Sequence, residues 1–162
     1  MMTTIKVLSV VFFWFLLAAC QSTSSYYLGA LADGEGEPIA VAAAYQQAHQ
    51  WEDLYLLIDS ALSADGGQKR LSGTVEFSLH SQGMYGRVRS LDLRVFLVDE
   101  EKRVVDYRPV MRFLGRSTRD QVPFSVVLPD TPGAVAYTFG YEATFSAIDD
   151  AVTTWNLPGR QR

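Results

Sequence analysis

Apolar and polar residues alternate with a period of two along most of the chain after residue 70. The clearest run carries apolar side chains on one expected face: Val135, Tyr137, Phe139, Tyr141 and Phe145. Successive side chains of a strand point to opposite faces of its sheet, so this period predicts strands with one buried face. Similar runs cover 75–79, 91–98, 104–107, 122–128 and 152–157. Short strands separated by polar turns predict an all-β antiparallel sandwich or barrel, and we expect six or seven strands.

The residues before these strands predict a short N-terminal helix. Pro38 precedes a stretch rich in alanine and glutamine, and proline is tolerated in the first turn of a helix. We expect this helix over residues 38–50. Residues 51–62 have two interpretations, because their apolar positions fit a strand but also continue a helical stripe that includes Val41 and Tyr45. The turn sequence Asp65-Gly66-Gly67 ends the segment in either case.

One strand–turn–strand pattern resembles a known kind of domain. Val95-Phe96-Leu97-Val98-Asp99 is followed by a polar turn, by Val104-Val105, and later by the run from Val122 to Pro129. This pattern is similar to small immunoglobulin-like domains of bacterial envelope lipoproteins. The resemblance implies an antiparallel immunoglobulin-like sandwich, and it transfers no functional residue to this chain.

The first residues have the layout of a secretory signal. Lys6 supplies a positive charge, and the run from Val7 to Leu17 is apolar except for one serine. Small residues before the cleavage point complete such a signal. A membrane-spanning helix needs about 20 apolar residues. The apolar run ends too early for that, because polar residues follow from Gln21 onward.

Leu17-Ala18-Ala19-Cys20 closes this run and contains the only cysteine of the chain. The four residues resemble a bacterial lipobox. That resemblance implies removal of residues 1–19 and lipidation, with palmitate, of Cys20. Gln21 follows instead of aspartate, which implies sorting to the outer membrane, facing the periplasm. The alternatives are an uncleaved anchor helix and an ordinary signal peptide cut elsewhere. We expect residues 20–37 to be a tether and 38–162 to form the domain, with Tyr26, Tyr27 and Leu28 apolar enough to dock on it.

Charge is distributed unevenly along the chain. The formal net charge is −4, which argues against a nucleic-acid-binding protein. The block from residue 87 to 119 is nevertheless basic. Its arginines are either ordinary solvated residues or a surface for an acidic partner, since a guanidinium can donate two hydrogen bonds at once to a carboxylate or a phosphate. The candidates for such a surface are Arg87, Arg89, Arg112, Arg116 and Arg119.

The sequence contains no recognisable catalytic or metal-binding set. His49 and His80 are the only histidines, and their spacing gives no metal-binding pair. Ser78 lies near His80, but both are expected on one strand face with no nucleophile elbow. We therefore expect no catalytic residue, no metal and no cofactor. The aromatic stripe of 137–145 is expected in the core, whereas four aromatic residues near predicted strand ends are candidates for exposed contacts: Trp51, Tyr85, Tyr107 and Trp155.

These features favour a non-enzymatic protein that is anchored by lipid in the outer membrane. We expect it to bind or assemble with an envelope protein in the periplasm, with membrane lipid as a second partner through Cys20. One alternative is a carrier or sensor of a small apolar or glycan ligand, held between the sandwich and the N-terminal helix. Another is an envelope hydrolase whose site the sequence does not reveal.

Overall fold

The computed structural model describes residues 26–45, 47–147 and 150–159. The predicted signal peptide and the lipobox with Cys20 lie outside the described residues. The strands are β1 (Ile39–Ala40), β2 (His49–Glu52), β3 (Leu56–Asp65), β4 (Gln68–Phe77), β5 (Arg87–Val98), β6 (Val104–Ser117), β7 (Val122–Leu128), β8 (Ala136–Ser146) and β9 (Ala151–Asn156). Two short helices are α1 (Val41–Ala44) and α2 (Leu79–Met84).

The strands form two antiparallel sheets. Sheet I has the order β1–β8–β5–β6, and β9 pairs with the same edge of β8 as β1 does, further along that strand. Sheet II has the order β2–β3–β4–β7. The two sheets share one hydrophobic core, which confirms the expected all-β, sandwich-like fold. The described residues contain nine strands instead of six or seven, because two further strands lie before residue 53 and 56–65 forms another.

The expected helix over 38–50 is not found. Helix is confined to Val41–Ala44, while Ile39 pairs with Tyr137 and His49 pairs with Ser60 in strands. Helix propensity is a weak preference that tertiary contacts override, and here both ends of the alanine-rich stretch are held in sheets. The two strands β2 and β3 also show that the strand interpretation of 51–62 is right and the longer helix is wrong.

A second helix, α2, stands where the sequence predicted a strand end and a loop. Ser78 is its N-cap residue, and the Ser78 hydroxyl accepts a hydrogen bond from the Ser81 amide at 3.2 Å. Ser78 also donates to the Leu54 carbonyl at 2.6 Å. The helix therefore begins at a serine cap that is hydrogen-bonded to the β2–β3 turn. Leu79, the first residue of the helix, points outward with 84% of its surface exposed.

The aromatic stripe of β8 lies in the shared core, as expected. Tyr137, Phe139, Tyr141 and Phe145 are each at most 2% exposed. The Tyr137 hydroxyl pairs with the Ser60 hydroxyl of sheet II at 3.0 Å, so the buried phenol is satisfied across the sandwich. Burial raises the pKa of Tyr137 above its ordinary value, although the bond to Ser60 opposes the shift.

Two aromatic residues expected at the surface are buried instead. Trp51 is 2% exposed because it faces inward from β2, where its ring meets Phe139 edge-on and its indole Nε1 donates to the Thr138 hydroxyl at 3.0 Å. Tyr85 is 8% exposed and stacks on Phe145. Large aromatic rings are buried readily when their polar ends find partners. Among the other two, Tyr107 is half-buried and Trp155 is 36% exposed.

Residues 26–38 form a segment, here called the strap, that lies against the domain. Tyr27 and Ala32 are buried in a second, smaller core on the outer face of sheet I, together with Phe96, Val104 and Leu157. The strap runs antiparallel to the start of β6, with a bridge from Leu31 to Arg103. Part of the expected tether is thus docked through Tyr27, while Tyr26 and Leu28 remain 64% and 48% exposed.

Candidate binding surface

The outer face of sheet I is divided into a covered half and an open half. Alternate residues of β5 point to opposite faces, and Leu91, Leu93 and Val95 face the core with no exposed surface. Asp92 and Arg94, between them, therefore face outward. The strap covers this face from Arg94 toward the β5–β6 turn, and the remainder of the face is open.

Arg94 marks the boundary between the two halves. Its guanidinium donates to the Tyr27 hydroxyl at 2.6 Å and to the Asp92 carboxylate at 3.1 Å, and it lies 5.5 Å from the centre of the Tyr27 ring. Burial disfavours the charged guanidinium, but Asp92 and Tyr27 outweigh this, so the pKa of Arg94 is raised. Arg94 therefore links the strap residue Tyr27 to Asp92 of β5.

Three of the five candidate arginines lie on the open half. Arg112 of β6 stands directly opposite Asp92, and the next outward pair in the same direction is Leu114 opposite Ser90. Beyond them, the Arg89 Nε donates to the Ser146 hydroxyl at 2.8 Å, and the guanidinium of Arg87 lies beside Gly115. We call the exposed group formed by Arg87, Arg89, Arg112 and Leu114 the arginine surface. Leu114, at its centre, is 76% exposed.

The other two candidate arginines are exposed but are not part of this surface. The Arg116 guanidinium sits 5.4 Å from the centre of the Phe113 ring, and Phe113 stands opposite the core residue Leu91. Arg116 therefore lies on the edge strand β6 at the core-facing side of sheet I, where the edge of the sandwich is open to solvent, and not on the outer face. Arg119 lies in the β6–β7 turn, where its amide bonds to the Ser117 hydroxyl at 3.1 Å.

The guanidinium groups of the arginine surface form no ion pair with a carboxylate among the described residues. Within the described ranges, the ion pairs are Lys69–Asp130, Arg70–Asp65, Arg94–Asp92, Lys102–Glu37 and Arg108–Asp106. None of the five candidate arginines takes part in them. Two acids share this face: Asp92, which stands opposite Arg112 but is paired with Arg94, and Glu142, which stands opposite Asp92 on β8, one strand further from the β6 edge. The surface is therefore a set of guanidinium groups without a carboxylate partner around one exposed leucine, and one of them, Arg89, donates to the Ser146 hydroxyl.

The residues considered for catalysis or metal binding lie in different elements and have structural contacts. Ser78 caps α2, and His80 packs edge-on against the Tyr55 ring, with ring centres 5.6 Å apart. His49 lies in β2, in the sheet opposite β8. The described part of the chain has no group of three or more histidine, cysteine, aspartate or glutamate residues that could hold a metal ion.

Among the clefts lined by described residues, two lie apart from the arginine surface. One, of about 260 Å³, lies beside the edge strand β9 and is lined by Tyr55, Thr153, Thr154 and Trp155. The other, of about 290 Å³, lies between the strap and the β5–β6 turn, with Asp33, Glu37, Glu101 and Lys102 in its lining. The first offers aromatic and hydroxyl groups, whereas the second is acidic.

Asp53 is an important polar residue that the sequence did not single out. One carboxylate oxygen accepts from the amides of Tyr55 and Leu56 at 2.9 and 2.8 Å, which closes the β2–β3 turn. The other accepts from the Tyr141 hydroxyl at 2.6 Å and the Asn156 amide at 3.2 Å, both in sheet I. An aspartate just before an apolar strand is a turn signal, but its partners are 88 and 103 residues away.

Neither a family model, nor a curated protein, nor a solved structure matches this chain. Among the residues that the structure describes, no helix is long and apolar enough to cross a membrane.

Proposed function

We propose that this protein is a non-enzymatic lipoprotein of the bacterial envelope, anchored through Cys20 in the outer membrane and facing the periplasm. Its role is to bind an acidic partner. The sequence Leu17-Ala18-Ala19-Cys20 supports the anchor, and the arginine surface supports the binding role.

The observation that carries the binding role is the contrast between the chain's arginines. Arg94 and Arg108 are paired with carboxylates of their own chain, whereas Arg87, Arg89 and Arg112 are exposed without one. Guanidinium groups match the geometry of carboxylates and phosphates, and unpaired ones are free to bind such groups on another molecule. Leu114 adds apolar contact area at the centre of the same surface.

We also propose that the sandwich is immunoglobulin-like. With β3 counted as the first strand, β4 pairs with β7 and β5 with β8, which corresponds to the second-with-fifth and third-with-sixth pairing of that fold. The fourth strand, β6, joins β5 instead of β7. Contacts between backbone amides of β4 and β7 in a nuclear Overhauser spectrum test this arrangement, and their absence would contradict it.

A second candidate function is binding of a glycan in the cleft beside β9. Trp155 is 36% exposed there, and aromatic rings beside hydroxyl groups suit the apolar face and hydroxyls of a sugar. Trp155→Ala should abolish sugar-dependent quenching of tryptophan fluorescence. An array of envelope glycans that leaves the fluorescence of the wild-type protein unchanged would exclude this role.

The anchor is tested by metabolic labelling with a fatty-acid analogue. The wild-type protein should be labelled and sediment with membranes, and Cys20→Ala should be neither labelled nor membrane-bound. Equal labelling of both would contradict lipidation at Cys20.

The binding surface is tested by a photo-crosslinking residue placed at Leu114 in living cells. A matched control carries it at Val127, which is also exposed but lies on sheet II. We expect a specific product from position 114 that disappears in the variant Arg89→Gln/Arg112→Gln. The same products from both positions, or products that survive the charge change, would show that the arginine surface has no binding role.

A further inference from the structure

The described chain begins on the outer face of sheet I, beside the arginine surface. The bridge between Leu31 and Arg103 is antiparallel, so residues nearer the N-terminus lie further along β6. Tyr27 accordingly contacts Tyr107, with ring centres 5.2 Å apart, and Tyr26 packs edge-on against Tyr27 at 5.1 Å. The strap thus leads back across the sheet from the β5–β6 turn toward the row that holds Arg112.

Covalent geometry limits the distance from this point to Cys20. Residues 21–25 separate Cys20 from Tyr26, and a fully extended chain spans at most about 3.6 Å per residue. Cys20 therefore lies within about 22 Å of Tyr26. Arg112 stands opposite Asp92, only two residues or about 7 Å along β5 from Arg94, which holds Tyr27. A membrane anchored at Cys20 is consequently within reach of the arginine surface.

The opposite end of the molecule has the opposite charge. The strap and the β5–β6 turn bring six acidic residues and two basic ones, Lys102 and Arg103, to one end of the sandwich, which is therefore acidic; the acidic residues are Asp33, Glu35, Glu37, Asp99, Glu100 and Glu101. An anionic membrane surface repels this end and attracts guanidinium groups. The charge distribution therefore favours one orientation, with the open half of sheet I toward the lipid.

We propose that the partner of the arginine surface is the membrane itself, through the phosphates of anionic phospholipids. This inference rests on the proposed lipidation of Cys20. Arg87, Arg89 and Arg112 donate hydrogen bonds to the headgroups, and Leu114 enters the apolar side of the headgroup layer. Tyr26, 64% exposed beside the same face, is suited to that interface because its ring is apolar and its hydroxyl is polar.

The orientation is measured on the lipidated protein in vesicles. The acylated Cys20 is the only native cysteine, so Leu114→Cys introduces a single free thiol for a fluorophore, and Val127→Cys does the same on sheet II. The vesicles contain phosphatidylethanolamine with or without 30% phosphatidylglycerol, and a headgroup-labelled lipid serves as quencher. We expect quenching of the dye at 114 in anionic vesicles, little quenching at 127, and reversal at high salt.

A matched pair of charge variants isolates the arginines. Each basic residue near an anionic membrane contributes about a fivefold preference, so Arg89→Gln/Arg112→Gln should lower the ratio of membrane-facing to free orientations about 25-fold. Lys69→Gln/Arg70→Gln removes the same charge from sheet II, where both residues are already paired, and should leave the quenching at 114 unchanged.

The outcomes separate this inference from the proposed function. Protein that floats with the vesicles while the dye at 114 stays unquenched overturns membrane recognition and leaves the lipid anchor standing. If the dye at 114 is quenched equally in neutral and in anionic vesicles, the tether alone brings this face near the membrane, and recognition of anionic lipid is overturned. If position 114 cross-links to an acidic protein in cells and its dye is not quenched by lipid in vesicles, the arginine surface binds that protein, and membrane recognition is overturned. Protein that does not float refutes the anchor, and this inference with it.

Discussion

Removing the Asp53 carboxylate should be among the most destabilising changes of a half-buried residue in this domain. Asp53→Ala eliminates four hydrogen bonds, two that close the β2–β3 turn and two that reach sheet I. Water can replace the carboxylate at the turn, so we assign about 1 kcal/mol to that half. The bond from Tyr141 is different, because this residue has no exposed surface and loses a charged acceptor inside the core, which costs about 2 kcal/mol.

The expected total, about 3 kcal/mol, is measurable by urea denaturation. With a slope of about 2 kcal/mol per molar urea for a domain of this size, the midpoint should fall by about 1.5 M. The control is Asp59→Ala on β3, whose carboxylate accepts one exposed bond from the Gln50 amide at 3.2 Å. That change should alter the free energy of unfolding by less than about 0.5 kcal/mol.

A double-mutant cycle with Tyr141→Phe tests whether the bond between the sheets is the cause. Asp53→Ala and Tyr141→Phe remove the same 2.6 Å bond, so their combined cost should fall below the sum of the single costs by about 1 kcal/mol. Strictly additive costs, or a variant of Asp53 as stable as the control, would refute the assignment of this residue as the link between the sheets.

The remaining predictions concern packing, pH and the strap. A Cβ on Gly73 would overlap a backbone oxygen of β3, so Gly73→Ala should lower the free energy of unfolding by at least about 3 kcal/mol. Gly83 lies in α2 with open space around it, so Gly83→Ala should raise the free energy of unfolding by about 0.5–1 kcal/mol. Thermal unfolding that ranks the two variants the other way contradicts the packing. The raised pKa of Tyr137 means that its stabilisation is complete below pH 10 and is lost as pH rises through the folded-state pKa, so Tyr137→Phe should flatten the alkaline decline of the urea midpoint, and an unchanged decline argues against it. Tyr27→Phe removes the bond to Arg94 and should accelerate hydrogen exchange of the strap amides about tenfold, which unchanged exchange rates would disprove.

The strands could be predicted from the sequence wherever one face of a strand meets the core and the other meets water. The period of two in β8 predicted the buried aromatic residues correctly, because Tyr137, Phe139 and Tyr141 all face inward. Val135, expected on the same face, lies before the first residue of β8 and is 41% exposed. The prediction that Trp51 would be exposed was wrong for a physical reason. Its burial depends on Phe139 and Thr138, more than 80 residues later in the chain, and local propensity contains no trace of that contact.

The candidate surface was partly visible because its residues come from one hairpin. The basic block spans β5 and β6, which are adjacent in sequence and paired in space, so Arg89 and Arg112 could be expected near each other. The sequence could not show that Arg94 is separate from this group. Its role depends on Tyr27, 67 residues earlier, and only the folded chain shows that this arginine is used internally.

The arginine surface and the cleft beside β9 can bind different partners at once, because they lie toward opposite edges of sheet I. A bilayer bound to the open half of sheet I occupies Arg112 and Leu114, while the cleft with Tyr55 and Trp155 lies along the β9 edge, at the far side of sheet I from β6. Because β8 and β5 lie between β9 and β6 in that sheet, with about 4.8 Å between neighbouring strands, β9 is about 14 Å across the sheet from β6, which carries Arg112, and about 10 Å from β5, which carries Arg89. Charge changes at Arg89 and Arg112 should therefore alter membrane orientation without altering ligand binding at Trp155. Loss of both activities in one variant would mean that the two surfaces are a single site.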